Sequence, residues 1–275
     1  MISAIVVNHN GEEHLRRCLE SLRQPGPECE VLLVDNASTD GSPGMVQVDF
    51  PEVRLLQQRR NLGFGAANNL AAEQARGEAL LLLNADAWLE AEALQRLHAR
   101  LFDDHRIGLV APTLLYPDGR LQFVWSPERG VAGEVLQQVR NRFENRGWAH
   151  GAAARTIGRL AGRLWFTAAC VLVRTDAFRE AGGFDERFFM YFEDVDLCVR
   201  LANGGWRLAQ EPSAVARHAG GFSRHSQVNE VYRPSQLRYY ALHRPSWEGG
   251  LVERRLRRRY GDEMVDRWLQ ENQEP

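Results

Sequence analysis

The chain contains no lysine, and all 34 of its basic residues are arginine. That absence excludes Schiff-base chemistry on a lysine, and it excludes a P-loop, whose lysine reaches the nucleotide phosphates. Cysteine is scarce as well. Cys18, Cys29, Cys170 and Cys198 stand far apart with no C-x-x-C pair, which predicts free, mostly buried thiols in a reducing compartment. No apolar run approaches the ~18 residues needed to cross a bilayer. The first residues run straight into a strand-like segment, without a basic leader or cleavage site. The expected location is therefore the cytoplasm, with peripheral contact to the inner membrane face left open. Neither sign of charge is in excess: 34 basic residues face 36 acidic ones for a net charge of -2, so nothing overall advertises nucleic acid as a partner. No glycine-rich phosphate loop and no G-x-G-x-x-G follow the first strand. Asn8-His9-Asn10-Gly11-Glu12-Glu13 stands there instead, which argues against a sugar nucleotidyltransferase and a nicotinamide dehydrogenase.

What is present is a regular alternation of strand and helix signals. With 275 residues, 44% of them hydrophobic, the chain suffices for one large α/β domain with at most a short appendage. Strands are expected at Ile2–Val7, Val31–Val34, Arg54–Gln57, Ala79–Leu83 and Ile107–Ala111. Helices are expected around Leu15–Leu22, from Ala66 to about Arg76, and through Leu94, Leu97 and Leu101. Such alternation implies an α/β fold with a mainly parallel central sheet and helices on both faces. Right-handed crossovers then bring the carboxyl ends of the strands to one edge, where ligands bind in open α/β folds. The polar clusters at Asn8, Asp35 and Asn84 to Asp86 each follow a strand, so all three should open onto one crevice.

The second half reads differently. Pro117-Asp118-Gly119 predicts a hairpin turn between 113–116 and 121–124. Residues from about 126 to 163 carry no assignable period. Phe166–Val173 reads as one strand, Thr175 as the cap of a short helix stopping at Gly182-Gly183, and a further helix starts near Asp194. Ala214–Ala216 is strand-like. Beyond about residue 226 the chain becomes polar and arginine-rich, a helical tail, which places a main domain at 1–225 and an extension at 226–275.

Several residues are candidates for chemistry, each with a structural alternative. Asp86, in Asn84-Ala85-Asp86 at a strand end, offers a carboxylate to a hard divalent cation, or it caps the helix around Leu94. Asp35 accepts hydrogen bonds from a nucleotide base or ribose, or it supports the turn to Ser42. Asn61-x-Gly63-x-Gly65 opens a helix whose N–H groups can face a phosphate, or it simply starts that helix. Glu193, Asp194 and Asp196 cluster at another helix start, where a general base and ordinary capping are equally compatible. His218, before Ala219-Gly220-Gly221-Phe222-Ser223, is a structural histidine or one that reaches a metal or diphosphate.

Taken together and in order, these segments resemble the inverting glycosyltransferase family two, with its GT-A fold. They are Val34 to Ser42, Asn61-Leu62-Gly63-Phe64-Gly65-Ala66-Ala67-Asn68, Leu82-Leu83-Asn84-Ala85-Asp86, and Gly183-Phe184-Asp185-Glu186 through Tyr191 to Cys198, with His218 after them. Tyr116-Pro117-Asp118-Gly119 is similar to the bacterial rhamnosyltransferase-like branch. The resemblance covers roughly residues 1–225 and implies a sugar transferred from a nucleotide-diphosphate donor, dTDP-rhamnose leading, to a glycan or lipid-linked acceptor. It implies that Asp35 contacts the base and that Asn8, Asn61, Gly63 and Asn84 belong to the donor site. Asp86 would bind Mg²⁺ or Mn²⁺ with help from His218, and Asp194 of the Glu193-Asp194 pair would act as the general base. Two departures stand out. Asn84 replaces the first acid of the family's Asp-x-Asp, and Thr167-Ala168-Ala169-Cys170 lacks the glycine often found before that cysteine. A non-catalytic sugar-binding or scaffold protein on the same fold is the competing reading; it would bind donor without transfer. The arginines at 254, 255, 257, 258 and 259, near Leu251, Leu256 and Trp268, form a solvated helix face or a contact to anionic lipid.

Overall fold

The computed structural model describes residues 1–130, 133, 164–220 and 228–272. Most of the unassigned stretch from 126 to 163 lies outside the described residues, as do Gly221-Phe222-Ser223 and the boundary placed at 225/226. The chain opens with β1 (Ile2–Asn8), α1 (Glu12–Leu22), β2 (Cys29–Asp35), α2 (Ser42–Asp49), β3 (Arg54–Gln57), α3 (Phe64–Ala72) and β4 (Ala79–Asn84). There follow β5 (Ala87–Leu89), α4 (Ala93–Asp103), β6 (Ile107–Leu115), β7 (Leu121–Gln122) and β8 (Trp125–Pro127). After the undescribed stretch come β9 (Leu164–Phe166), β10 (Cys170–Arg174), α5 (Thr175–Glu180), α6 (Glu193–Asn203) and β11 (Arg207–His218). Three helices close the described chain: α7 (Val228–His243), α8 (Ser246–Tyr260) and α9 (Asp262–Glu271).

One nine-stranded sheet organises these elements, in the order β3-β2-β1-β4-β10-β6-β11-β5 with β7 beside β6. The pairs β3–β2, β2–β1 and β1–β4 are parallel. β10 runs antiparallel to both β4 and β6, so β6 points the same way as β4, and β11 is parallel to β6. Six strands therefore share one direction, and Asn8, Asp35, Gln57, Asn84, Leu115 and His218 end on one edge. β1, apart from Ser3, and β4 are apolar up to their terminal asparagines because helices cover both faces of the sheet's centre. Each fully buried Leu there, such as Leu80, Leu81 and Leu82, contributes about 1.5–3 kcal/mol.

Local departures from the sequence reading have physical causes. The strand expected over Phe166–Val173 is two strands in different sheets: β9 pairs with β8, and β10 enters the main sheet. Thr167–Ala169 turns between them, leaving the Ala168 N–H to reach the Asp194 side chain across the cleft. Thr175 is not a cap; it lies inside the first turn of α5, with its hydroxyl donating to the Gly77 carbonyl at 2.6 Å. Asp86 does not cap α4, whose preceding residue is Glu92 in a left-handed conformation. Gly182 and Gly183 end α5 with φ of 80° and 69°, a region glycine enters without strain.

The C-terminal helices pack onto the sheet domain. Tyr239 and Tyr240 of α7 share an apolar cluster with Phe188, Phe192, Val195 and Val199. A buried charge fixes this junction. Asp196, 1% exposed, accepts from the Arg200 guanidinium through Nε at 2.8 Å and meets His243 Nε2 at 2.7 Å. Arg200 also donates to the Ala181 and Gly183 carbonyls, so it ties α6 to the glycine turn after α5. Of the three acids at the start of α6, Asp196 thus has a structural duty. Asp196→Ala strands Arg200 and His243 without their carboxylate, and its expected cost is about 3 kcal/mol in urea denaturation.

Candidate active site

A cleft of about 350 Å³ opens at the shared strand edge, lined by residues from both halves of the chain. Its floor comes from strand ends. Asn8 closes β1; its Nδ2 donates to Asp35 Oδ1 at 3.2 Å and to the hydroxyls of Ser38 and Ser42. Asp35, at 3% exposure, sits behind it and accepts from the Ser38 N–H at 3.1 Å. Asn8 lines the cleft and Asp35 does not. The sequence separated a turn-supporting Asp35 from a ligand-facing one; here its carboxylate is bonded to the turn and to Asn8.

Asn36, next in the chain, holds the neighbouring wall. Its Oδ1 accepts from Leu62 N–H at 3.1 Å and its Nδ2 donates to the Gly63 carbonyl at 2.9 Å. Gly63 has φ of 84°, and a Cβ there would fall 2.4 Å from the Phe189 carbonyl oxygen, so no larger residue fits. Asn61 accepts from the Gly63 N–H through its side chain at 2.9 Å, and both residues line the cleft.

The carboxylate and imidazole that the sequence proposed for a metal are brought together by a pairing it did not reveal. Three-residue β5 runs antiparallel to the end of β11, with Ala87 opposite His218. That register sets Asp86 against His218, Oδ1 to Nε2 at 3.2 Å, while Asp86 Oδ2 accepts from Gly220 N–H at 3.2 Å. Asn84 Nδ2 lies 3.3 Å from the same His218 Nε2. The other ring nitrogen, Nδ1, meets Gln122 Oε1 of β7 at 3.1 Å. A histidine held at one nitrogen by an oxygen acceptor presents the other toward a ligand, the usual arrangement of metal-binding imidazoles. Among the described residues no three of His, Cys, Asp and Glu converge on one point. The donor set is therefore sparse, which fits a cation that also takes phosphate oxygens and water.

Opposite stands the start of α6. Phe192 and Tyr191 precede it with φ of 68° and 67°, strained for side-chain-bearing residues, and they aim Glu193 and Asp194 into the cleft. Asp194 is half-buried; its oxygens accept from Val195 N–H at 2.8 Å and Ala168 N–H at 3.4 Å. The Ala168 amide belongs to the turn that divides β9 from β10. Burial raises the Asp194 carboxyl to about 6, against the pull of those amides and of the Arg129 charge. Glu193, 6% exposed and with no hydrogen-bond partner for Oε2 among the described residues, is raised well above the ordinary carboxylate range by burial first and the Asp194 charge second. Two adjacent acids are thereby split, Glu193 biased toward its neutral form and Asp194 toward ionising near neutrality.

Trp165, Tyr191, Phe192 and Tyr232 supply an aromatic wall beside Asp194, and the Arg129 guanidinium lies 5.2 Å from the Trp165 ring and 5.3 Å from the Phe192 ring. Sequence reasoning missed Arg129 and Trp165, which line the cleft, and Gln122, which stands behind His218.

Comparison with known proteins agrees with this architecture. A family model, Glycosyl transferase family 2, matches residues 3–164. The chain is 32% identical over 241 residues to the N-acetylglucosaminyl-diphospho-decaprenol L-rhamnosyltransferase of Mycobacterium tuberculosis, covering 79% of this chain and 76% of that protein. It is 37% identical over 260 residues to the rhamnosyltransferase WbbL of Escherichia coli, covering 89% and 94%. Among solved structures, the mannosyltransferase PcManGT of Pyrobaculum calidifontis, in complex with GDP-Man and Mn²⁺, is similar with a TM-score of 0.59 at 18% identity, over 98% of this chain and 73% of that one. At that identity the likeness bears on the fold, which is the GT-A fold.

The raised Asp194 carboxyl has a consequence for stability. A group whose folded value lies above its unfolded value of about 4 stabilises the fold below that pH, and this contribution is lost as pH rises through the folded value. For Asp194 the loss is complete above about 6. Asp194→Asn is therefore expected to gain stability relative to wild type between pH ~4 and pH ~8, by on the order of 1 kcal/mol in urea denaturation.

Proposed function

Because the chain belongs to glycosyl transferase family 2 and is a glycosyltransferase, we propose that it transfers rhamnose from a nucleotide-diphosphate donor to a hydroxyl of a glycan or lipid-linked acceptor, with inversion. The observation that carries this reading is one cleft holding Asp86, His218 and Asn84 at strand ends and Asp194 at a helix start. The sugar and acceptor class follow the printed names of the two rhamnosyltransferase relatives, one of which acts on a diphospho-decaprenol.

Asn8, with Asp35 behind it, forms the base end of the donor site. The Asn61–Gly63 loop and the first N–H groups of α3 face the donor's phosphates. Asp86 and His218, with Asn84 alongside, would hold a divalent cation, Mg²⁺ or Mn²⁺, which would supply positive charge to the diphosphate. Asp194 takes the proton of the attacking hydroxyl as its oxygen bonds to the anomeric carbon. The bond from that carbon to the diphosphate breaks on the opposite side, and the electron pair leaves with the diphosphate. The Val195 and Ala168 amides, and then the Arg129 charge, favour ionised Asp194 against burial, while burial biases Glu193 toward its neutral form. The aromatic wall offers apolar faces on which an acceptor sugar stacks.

Two measurements test this. In a thermal-shift panel of UDP, dTDP, GDP and CDP with and without Mn²⁺, one nucleotide is expected to stabilise the protein, by about 2.7 kcal/mol at 100 times its Kd. That response should require metal and vanish in Asp86→Ala. Asp194→Asn is expected to lose at least ~10²-fold in kcat while donor binding survives; near-normal turnover would remove the base from Asp194.

A further inference from the structure

Helix α8 carries a surface that sugar transfer does not use. Trp247 is 58% exposed and Leu251 44% exposed, with Leu242 at the end of α7 43% exposed nearby in sequence. At 3.6 residues per turn, positions 247, 251, 254 and 258 fall on one stripe, with 255 and 259 flanking it. Arg254, Arg255, Arg258 and Arg259 line one shallow depression together with Leu251. The helix's other sides are spoken for. Leu256 and Val252 pack into a cluster with Leu237, Val265 and Trp268. Arg257, in the middle of the arginine run, points elsewhere and pairs with Glu253, Asp262 and Asp266.

The four arginines on the open stripe have no such partners. Among the described residues no ion pair joins any of them to a carboxylate; Arg254 donates to the Gly250 carbonyl, and Arg259 lies over the Tyr260 ring. A chain of net charge -2 thus gathers four unneutralised cations beside an exposed Trp and Leu. We propose that this stripe of α8 docks on an anionic phospholipid bilayer. Trp247 and Leu251 enter the boundary between headgroups and acyl chains, and the arginines meet the phosphates, their apolar stems lying along the interface. A second copy of the chain is a poor occupant, because a two-fold contact through this face sets four guanidinium groups against four others. A nucleic acid duplex offers nothing to the apolar end of the stripe. No described helix is long and apolar enough to cross a membrane, so attachment through α8 is peripheral.

The inference does not rest on the proposed transfer reaction, and its test reads binding rather than turnover. The full chain is sedimented with vesicles of equimolar phosphatidylglycerol and phosphatidylcholine, and with phosphatidylcholine alone. Wild type is expected to pellet with the anionic vesicles and to remain in solution with the neutral ones. Raising salt from about 0.1 M to about 1 M, which shortens the screening length from roughly 10 Å to 3 Å, should release it. The variant R254Q/R255Q/R258Q/R259Q should lose roughly 600-fold in partition, since each basic residue near an anionic surface contributes about fivefold. W247S/L251S should lose at least about tenfold. Both variants should keep the nucleotide-induced thermal shift of the wild type, because none of these residues lines the cleft. No pelleting, equal pelleting with neutral vesicles, insensitivity to salt, or pelleting undiminished by the fourfold substitution would each overturn the proposal. So would a dimer in sedimentation velocity that the fourfold variant abolishes.

Discussion

The turn at Thr167–Ala169 is the constraint on which the site's geometry depends. Its Ala169 carbonyl accepts from the Asn84 N–H at 3.0 Å, fixing the strand end that carries Asn84 and Asp86. Its Ala168 N–H reaches Asp194 Oδ2 at 3.4 Å, on the far side of the cleft. One turn of three residues therefore touches both the Asn84–Asp86 side and the Asp194 side of the cleft. It exists because β10 must reverse against β4 and β6 while β9 pairs away in a second sheet. Had 166–173 continued as one strand, these backbone groups would have been used up in the ladder. The absence of the glycine common at this place in the family leaves the turn intact: Ala168 and Ala169 are both buried, with no positive φ to relieve.

The three acids at the start of α6 show how environment separates residues that sequence places together. All three gain from the helix dipole. Asp196 points inward to Arg200 and His243 and serves the junction with α7. Glu193 is buried with an oxygen that finds no partner among the described residues, so its charged form is the costly one. Asp194 has amides to accept from and a cation nearby, and it alone combines a cleft position with a charge it can hold. The left-handed Tyr191 and Phe192 set the phase of the helix start, and that phase sorts the acids.

Much of the fold was legible because its signals are local. The strands from Ile2, Ala79 and Ile107, the hairpin around Pro117-Asp118-Gly119 and the glycine stop at 182–183 follow from apolar runs and turn residues, and the convergence of Asn8 and Asn84 follows from strand direction. His218 joins them for the same reason, as the end of a sixth codirectional strand, yet that strand reads from sequence only as Ala214–Ala216. The pairing that places Asp86 against His218 was illegible: β5 is three residues long, and its partner lies more than 120 positions away. Gln122 lies in the legible hairpin, yet its contact with His218, 96 positions away, depends on β11 lying beside β6. Asp35 illustrates a subtler limit. Its motif was plain, but whether a strand-end carboxylate faces a ligand or its own turn depends on which neighbour carries the spare donor, and here Asn8 does.

The lysine-free composition also acquires a physical meaning. A guanidinium offers donors in several directions of one plane, whereas an ammonium is a single point of charge. Arg200 uses this to bond Asp196 and two turn carbonyls at once, and Arg174 spans the Ile107 and Leu101 carbonyls at 2.8 and 2.7 Å, locking the end of β10 to β6 and α4. Arg257 gathers three carboxylates between α8 and α9. In each case the arginine ties a helix to a neighbouring element outside the backbone ladder, with donors fixed in one plane that a lysine's ammonium lacks. Structural arginines in this protein are thus recognisable by several acceptors apiece. Measured by that standard, the four on the open stripe of α8 stand apart: they join nothing within the described fold, and their charge is left to act on what lies outside it.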